Sequence, residues 1–120
     1  MLMRKAAPLI DYDKLCRQTV TVYRKTEEGV SRTVCNRAYL DFRKNRNVDK
    51  TGSRETNSFL LVVPGSTQAV FVGDKVLLGE GPVVEEWAQF IPTKVPGLVV
   101  VSYVDPKYWG DTMVHTEAGG

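Results

Sequence analysis

The chain has 120 residues, the size of one domain. Its 42% apolar and 25% charged side chains are the balance of an ordinary globule that buries a core without metal or disulfide staples. Its 16 basic and 14 acidic residues leave a net charge of +2, too small by itself to point to nucleic acid or anionic lipid.

In chain order, Met1 to Ile10 lacks the apolar stretch of a signal peptide, and no later run approaches about 18 consecutive apolar residues. The protein is therefore expected to be made and used in a cytoplasm. A short helix can begin at Asp11 or Asp13 and run through Leu15. Thr19 to Lys25 alternates, with Val20 and Val22 on one face and Thr19, Thr21 and Tyr23 on the other. Glu27-Glu28-Gly29 reads as a turn, and Arg32 to Phe42 alternates again, with Val34, Ala38, Leu40 and Phe42 sharing a face and Asn36 marking a bulge. With that turn, position 22 faces about 35 and position 16 faces about 41. Cys16 and Cys35 then lie roughly 20 Å apart along the sheet, well beyond the ~7 Å between Cα atoms that a disulfide bridges. Both are read as reduced structural thiols.

Arg43 to Glu55 has no apolar residue except Val48 and reads as a long loop. Asn57 to Val63 is a third strand closed by Pro64-Gly65. Ala69 to Leu78 reads as two short strands bent at Gly73-Asp74, or as one strand kinked there. Gly81-Pro82 can start a two-turn helix over Val83 to Phe90, which Pro92 stops, with Val83, Trp87 and Phe90 on one face and Glu85 and Glu86 at its positive end. Leu98 to Val101 is an apolar run that reads as a strand buried on both faces, and the strand is expected over Val99 to Val104. Asp105-Pro106 is expected to break it, Tyr108-Trp109-Gly110 to turn the chain, and Thr112 to Thr116 to form a last strand. The expectation is a single domain, 1–120, mainly β: a small antiparallel β-barrel or sandwich with one short helix and a long basic loop. The barrel is preferred because closure removes exposed strand edges.

No catalytic, cofactor-binding or metal-binding residue is assigned. His115 is the one histidine, and a zinc site around it would need carboxylates alone as co-ligands. It reads as a surface or interface residue. No pattern pairs a cysteine with it as a nucleophile. Gly79-Glu80-Gly81 precedes a proline, not the Lys-Ser/Thr of a phosphate loop, and Glu85-Glu86 point to different sides of a helix. The chain is not expected to be an enzyme.

The segment with functional colour is the loop itself. Arg43, Lys44, Arg46, Lys50 and Arg54 outweigh Asp49 and Glu55, which gives it +3 while the remainder of the chain carries −1. It reads either as a basic finger that meets phosphate or an acidic protein surface, or as a solvated hairpin tip. It has no aromatic residue, which argues against base stacking.

The order of these elements resembles the small head–tail joining (minor capsid) proteins of tailed bacteriophages. The opening strand pair is Thr19 to Phe42, and Phe59 to Pro64 is a strand ending in proline. A Gly-Asp-led apolar element closing in glycine follows at Gly73 to Gly79, then the apolar strand Leu98 to Val104 and the turn Asp105 to Asp111. His115 with Gly119-Gly120 comes last. Glu80 to Lys94 has no counterpart in that pattern. The resemblance implies a structural virion protein of the neck, between head and tail, assembled in the host bacterial cytoplasm. It would form a connector ring of the stopper or head-completion kind, closing the DNA exit and presenting the tail-docking surface. Its implied partners are itself, in a homo-oligomeric ring (a hexamer), the neighbouring portal or adaptor, and tail-terminator or tail proteins. Genomic DNA in the channel is a further contact, and no membrane or cofactor is implied. Tyr108 and Trp109 are the candidate interface aromatics, unless Trp109 covers the end of the core. The alternatives are a tail-terminator or adaptor ring of the same connector, or, in a different class, an oligonucleotide-binding-type barrel that binds nucleic acid. The last would need stacking aromatics interleaved with basic residues, and only Tyr23, Arg37 and Tyr39 approach that.

Overall fold

The computed structural model describes residues 11–49 and 52–120, and for 44–49 and 52–57 it describes the backbone. Met1 to Ile10 and Lys50 lie outside the described residues. One sheet of seven antiparallel strands organises the chain: β1 (Gln18–Thr26), β2 (Gly29–Asp49), β3 (Gly52–Pro64), β4 (Lys75–Leu78), β5 (Val99–Val100), β6 (Tyr103–Trp109) and β7 (Thr112–Gly119). Their spatial order is β5-β4-β1-β2-β3-β7-β6. The two edge strands, β5 and β6, are successive parts of one run separated by Val101 and Ser102. At this corner the Val101 N–H donates to the Asp74 carbonyl and the Ser102 N–H to the Gly119 carbonyl, both at 2.8 Å. The run thus passes from one side of the sheet to the other, and the sheet curls into a barrel-like shell around Val20, Val22, Leu40, Leu61, Val70, Val76 and Val101.

The expected mainly-β architecture is present. Glu27 and Glu28 form a two-residue turn between Thr26 and Gly29, whose φ of 131° suits glycine. This register sets Val20 opposite Cys35 and Val22 opposite Thr33, two residues from the pairing the sequence suggested. The bulge expected near Asn36 is there: Gln18 faces Ala38 while Val20 faces Cys35, leaving an extra residue on β2. The bulge inverts the pleat, so Cys35 packs on the same core as Ala38 and Leu40, and Val34 falls on the opposite face. Both cysteines are free, and burial pushes both thiols above their ordinary range.

The far face of β1 is also covered. Residues 80–98 cross it as a strap without regular structure except a 3-10 turn at Trp87–Gln89. Beneath it Tyr23, Phe90 and Leu98 form a second cluster with Val30, Leu77, Val84, Trp87 and Val95. The α-helix expected over Val83 to Phe90 is not formed. Two turns between prolines are marginal alone, and side chains take over the strap's carbonyls: Tyr23 Oη donates to Pro82 O at 2.7 Å, Arg32 Nε to Gly81 O at 2.9 Å, and Lys75 Nζ to Trp87 O and Phe90 O at 3.1 and 2.6 Å. The one α-helix among the described residues, α1 (Tyr12–Leu15), is the short one expected after Asp11, whose carboxylate caps the Asp13 N–H at 3.1 Å.

Three further expectations are corrected. Only Lys75–Leu78 of the segment 69–78 is strand, because Gly73, at φ 94°, turns the chain just before it. Of the apolar run, Leu98 and Val101 are buried but Val100 is exposed at the sheet edge. Asp105-Pro106 does not break the last hairpin. Pro106 sits inside β6, an edge strand that pairs only with β7, so its missing N–H costs no ladder bond. The reversal expected at Tyr108-Trp109-Gly110 comes at Gly110-Asp111, with Gly110 at φ 64° in the glycine-first turn that suits a two-residue hairpin.

Candidate interaction surface

The segment read as a basic loop is a hairpin arm. β2 and β3 stay paired from Arg43↔Ser58 through Arg46↔Glu55 and Asn47↔Arg54 to Asp49↔Gly52. The segment 43–55 shows no apolar alternation, and Val48 is its one apolar residue. The flanking strands stop short of it. β1 pairs with β2 only as far as Ala38, and β7 pairs with β3 only from Leu60 onward, with Gly120 O taking the Phe59 N–H. Among the described residues neither edge of the arm has a neighbouring strand. Lys44, Arg46 and Arg54 all lie on it. Arg43 stands at its root, exposed, with Nε 3.2 Å from the Asp41 carboxylate.

Beside the root the surface is hollowed. A recess of about 470 Å³ is walled by Phe42, Phe59, Pro92, Leu98 and Val100, with Arg43 at its lip. Phe42 is 47% exposed there. Gly119 and Gly120 allow this close packing, since a Cβ on Gly119 would fall 2.7 Å from the Phe59 carbonyl oxygen and one on Gly120 2.6 Å from that of Val100. Tyr108 and Trp109 end β6 at the far hairpin. Tyr108 is 60% exposed, and the half-buried Trp109 belongs to neither apolar cluster.

At the opposite end of β2 from the arm lies a second feature, one that residue-by-residue reading missed. Two adjoining hollows share Gly29 and Val30. One is lined by Glu27 and Glu28, the other by Glu85, Glu86, Trp87 and Lys25. All four glutamates are exposed, and none forms an ion pair among the described residues. Each pair was visible as adjacent acids in the sequence. What joins them is the strap, whose extended path lays 85–86 beside the β1–β2 turn, where a helix would have turned Glu85 and Glu86 apart.

Buried polar groups hold this geometry. Asp74, 2% exposed, accepts Arg24 Nε and Nη2 at 2.9 and 2.8 Å and the Phe71 N–H at 2.9 Å, while the Arg24 guanidinium lies 4.3 Å over the Phe71 ring. Lys75 points the other way, its ammonium 4.1 Å over the Trp87 ring, and burial lowers its pKa from 10.5. Thr21 is wrapped by the Gly79–Gly81 bend, its Oγ1 donating to Gly79 O at 2.7 Å and accepting the Gly81 N–H at 2.8 Å. That bend is a structural joint.

His115 is not a surface residue. It is 3% exposed because β7 is flanked by β3 and β6 and Tyr12 of α1 lies over it. Its Nδ1 is 2.5 Å from the Tyr12 hydroxyl, and its Nε2 lies 3.5 Å from a Glu117 carboxylate oxygen without a hydrogen-bond partner. Among the described residues no group of three or more His, Cys, Asp or Glu is placed to hold a metal ion, and no helix is long and apolar enough to cross a membrane. Compared with family models, curated proteins and solved structures, the chain matches none.

Proposed function

We propose that the chain is a structural subunit of a ring in the neck of a tailed bacteriophage, of the stopper or head-completion kind, rather than an enzyme. The supporting observation is the pairing of a curled, well-packed sheet with a basic two-stranded arm that no strand flanks among the described residues. An isolated hairpin is marginal in water, so an arm of this kind gains its order from a neighbour. In a ring the arms repeat around one axis, which multiplies a modest charge into a strong local field at the exiting DNA or an acidic protein surface. The exposed Phe42 recess and Tyr108 supply apolar contact area for adjoining rings or subunits.

The sequence pattern resembles both the stopper and its neighbours, the tail-terminator and adaptor rings. The adaptor is disfavoured because such proteins tend to be helical. A free nucleic-acid-binding barrel has less support. Its stacking pattern needed Tyr23, which is fully buried under the strap and bonded to Pro82, and Arg37, whose Nη2 is 2.8 Å from the Asp13 carboxylate. The genetic test is direct. Removing the protein is expected to leave filled or leaking heads beside separate tails, and normal tailed particles without it would refute the proposal.

A further inference from the structure

The basic arm and the acidic groove occupy opposite ends of one strand, β2, which runs 21 residues from Gly29 to Asp49. At strand rise this is up to roughly 65 Å of chain, so an arm does not reach the groove of its own molecule. The arm brings Lys44, Arg46 and Arg54 against Asp49 and Glu55, and strand edges that no described strand pairs. The groove brings four carboxylates and one lysine, Lys25, with none of the carboxylates in an ion pair among the described residues, and an apolar wall of Val30 and the Trp87 ring. The surplus charges of the two are opposite. We infer that the arm of one copy seats in the Glu27, Glu28, Glu85 and Glu86 groove of the next copy of this chain. This rests on the ring proposal above and supplies its subunit contact.

The contact is heterologous: each copy gives its arm to one neighbour and its groove to the other. Such head-to-tail contacts close into a ring when the rotation permits, and otherwise propagate as a filament. Charge complementarity favours this occupant over a second arm, because two arms would meet with like charge. It also fixes orientation, since a reversed neighbour would set acid against acid. The Lys75 ammonium holds the Trp87 and Phe90 carbonyls, so the strap that carries Glu85 and Glu86 is anchored before the arm arrives.

The test is a charge swap on the full chain. One variant carries Lys44→Glu, Arg46→Glu and Arg54→Glu; the other carries Glu27→Lys, Glu28→Lys, Glu85→Lys and Glu86→Lys. Mass is measured by light scattering after size exclusion, with circular dichroism confirming the fold. Wild type is expected above monomer mass and to shift towards monomer as ionic strength rises from about 0.1 M to about 1 M, where screening shortens from roughly 10 Å to 3 Å. Each variant alone is expected as monomer, and an equimolar mixture of the two is expected to regain assembly. If a reversed variant does not fold, the Glu→Gln and Lys/Arg→Ser sets replace it, and each should weaken assembly about tenfold or more. The inference is overturned by a wild type that is monomeric throughout, by variants that assemble normally, or by a mixture that stays monomeric. Loss of duplex DNA binding with normal assembly in the arm variant would overturn it too, assigning the arm to phosphate. Rings indifferent to either reversal would sink this contact and leave the neck-ring proposal standing, because that proposal fails only on the particle phenotype.

Discussion

At the scale of single residues, the buried charges carry the sharpest expectations. Asp74 is fully enclosed while Arg24 is partly exposed, so the two halves of the pair are unequal. Arg24→Met strands a buried carboxylate and is expected to lower stability by about 3 kcal/mol. Denaturant titration measures that deficit, and a variant as stable as wild type would contradict this role. Tyr23 gives an alkaline signature. Burial raises its phenol above 10.0, so the folded state resists ionisation that the unfolded chain undergoes. Its contribution is complete below pH 10.0 and is lost as pH climbs towards the folded pKa. Lys75, held below 10.5 by burial, acts with the opposite sign, since its penalty fades as pH rises through the folded value towards 10.5. The stability difference between wild type and Tyr23→Phe isolates the phenol, and it should narrow above pH 10; a constant gap would count against the buried donor.

At the scale of elements, the strap is the test case. Lys75→Met removes two charge-assisted bonds to strap carbonyls but also a desolvated ammonium, so the two effects offset in part. Global stability should fall by less than about 2 kcal/mol, while proteolysis within residues 80–97 should accelerate. Unchanged cleavage would mean that packing of Phe90 and Leu98 alone anchors the strap. This element also marks where the sequence stopped being readable. β1 and the first half of β2 were legible because alternation reports one buried face, Asn36 announced its bulge, and the second half of β3 and most of β7 were legible as short strands between turn residues. The strap imitated a helix: Val83, Trp87 and Phe90 recur at helical spacing, yet the carbonyls of Gly81, Pro82, Trp87 and Phe90 are taken by Arg32, Tyr23 and Lys75 from other strands, and local pattern contains no such information. The arm failed for the converse reason. Its residues carry no apolar period, so paired backbone at 43–49 and 52–57 looked like loop. The acidic groove was half legible, as two Glu-Glu pairs, and His115 was misjudged because α1 and its Tyr12 cover it from outside its own hairpin.

At the scale of the whole molecule, polarity along β2 is the organising feature, with an acidic end, a packed shell and a basic arm. Replacing Arg43, Lys44, Arg46, Lys50 and Arg54 with Ser should leave thermal unfolding nearly unchanged, since substitutions away from caps, core and buried networks are usually within about 0.5 kcal/mol each. The same protein should fail to restore infectivity to particles lacking the wild type; infectious particles at normal yield would remove the arm from assembly. The proposal that the chain builds a neck ring is tested most directly by locating and counting it in purified virions, by quantitative mass spectrometry together with imaging of the neck. It predicts a fixed ring stoichiometry, with density for the curled sheet between portal and tail. Absence from intact, infectious virions, or a copy number that varies between preparations, would contradict it.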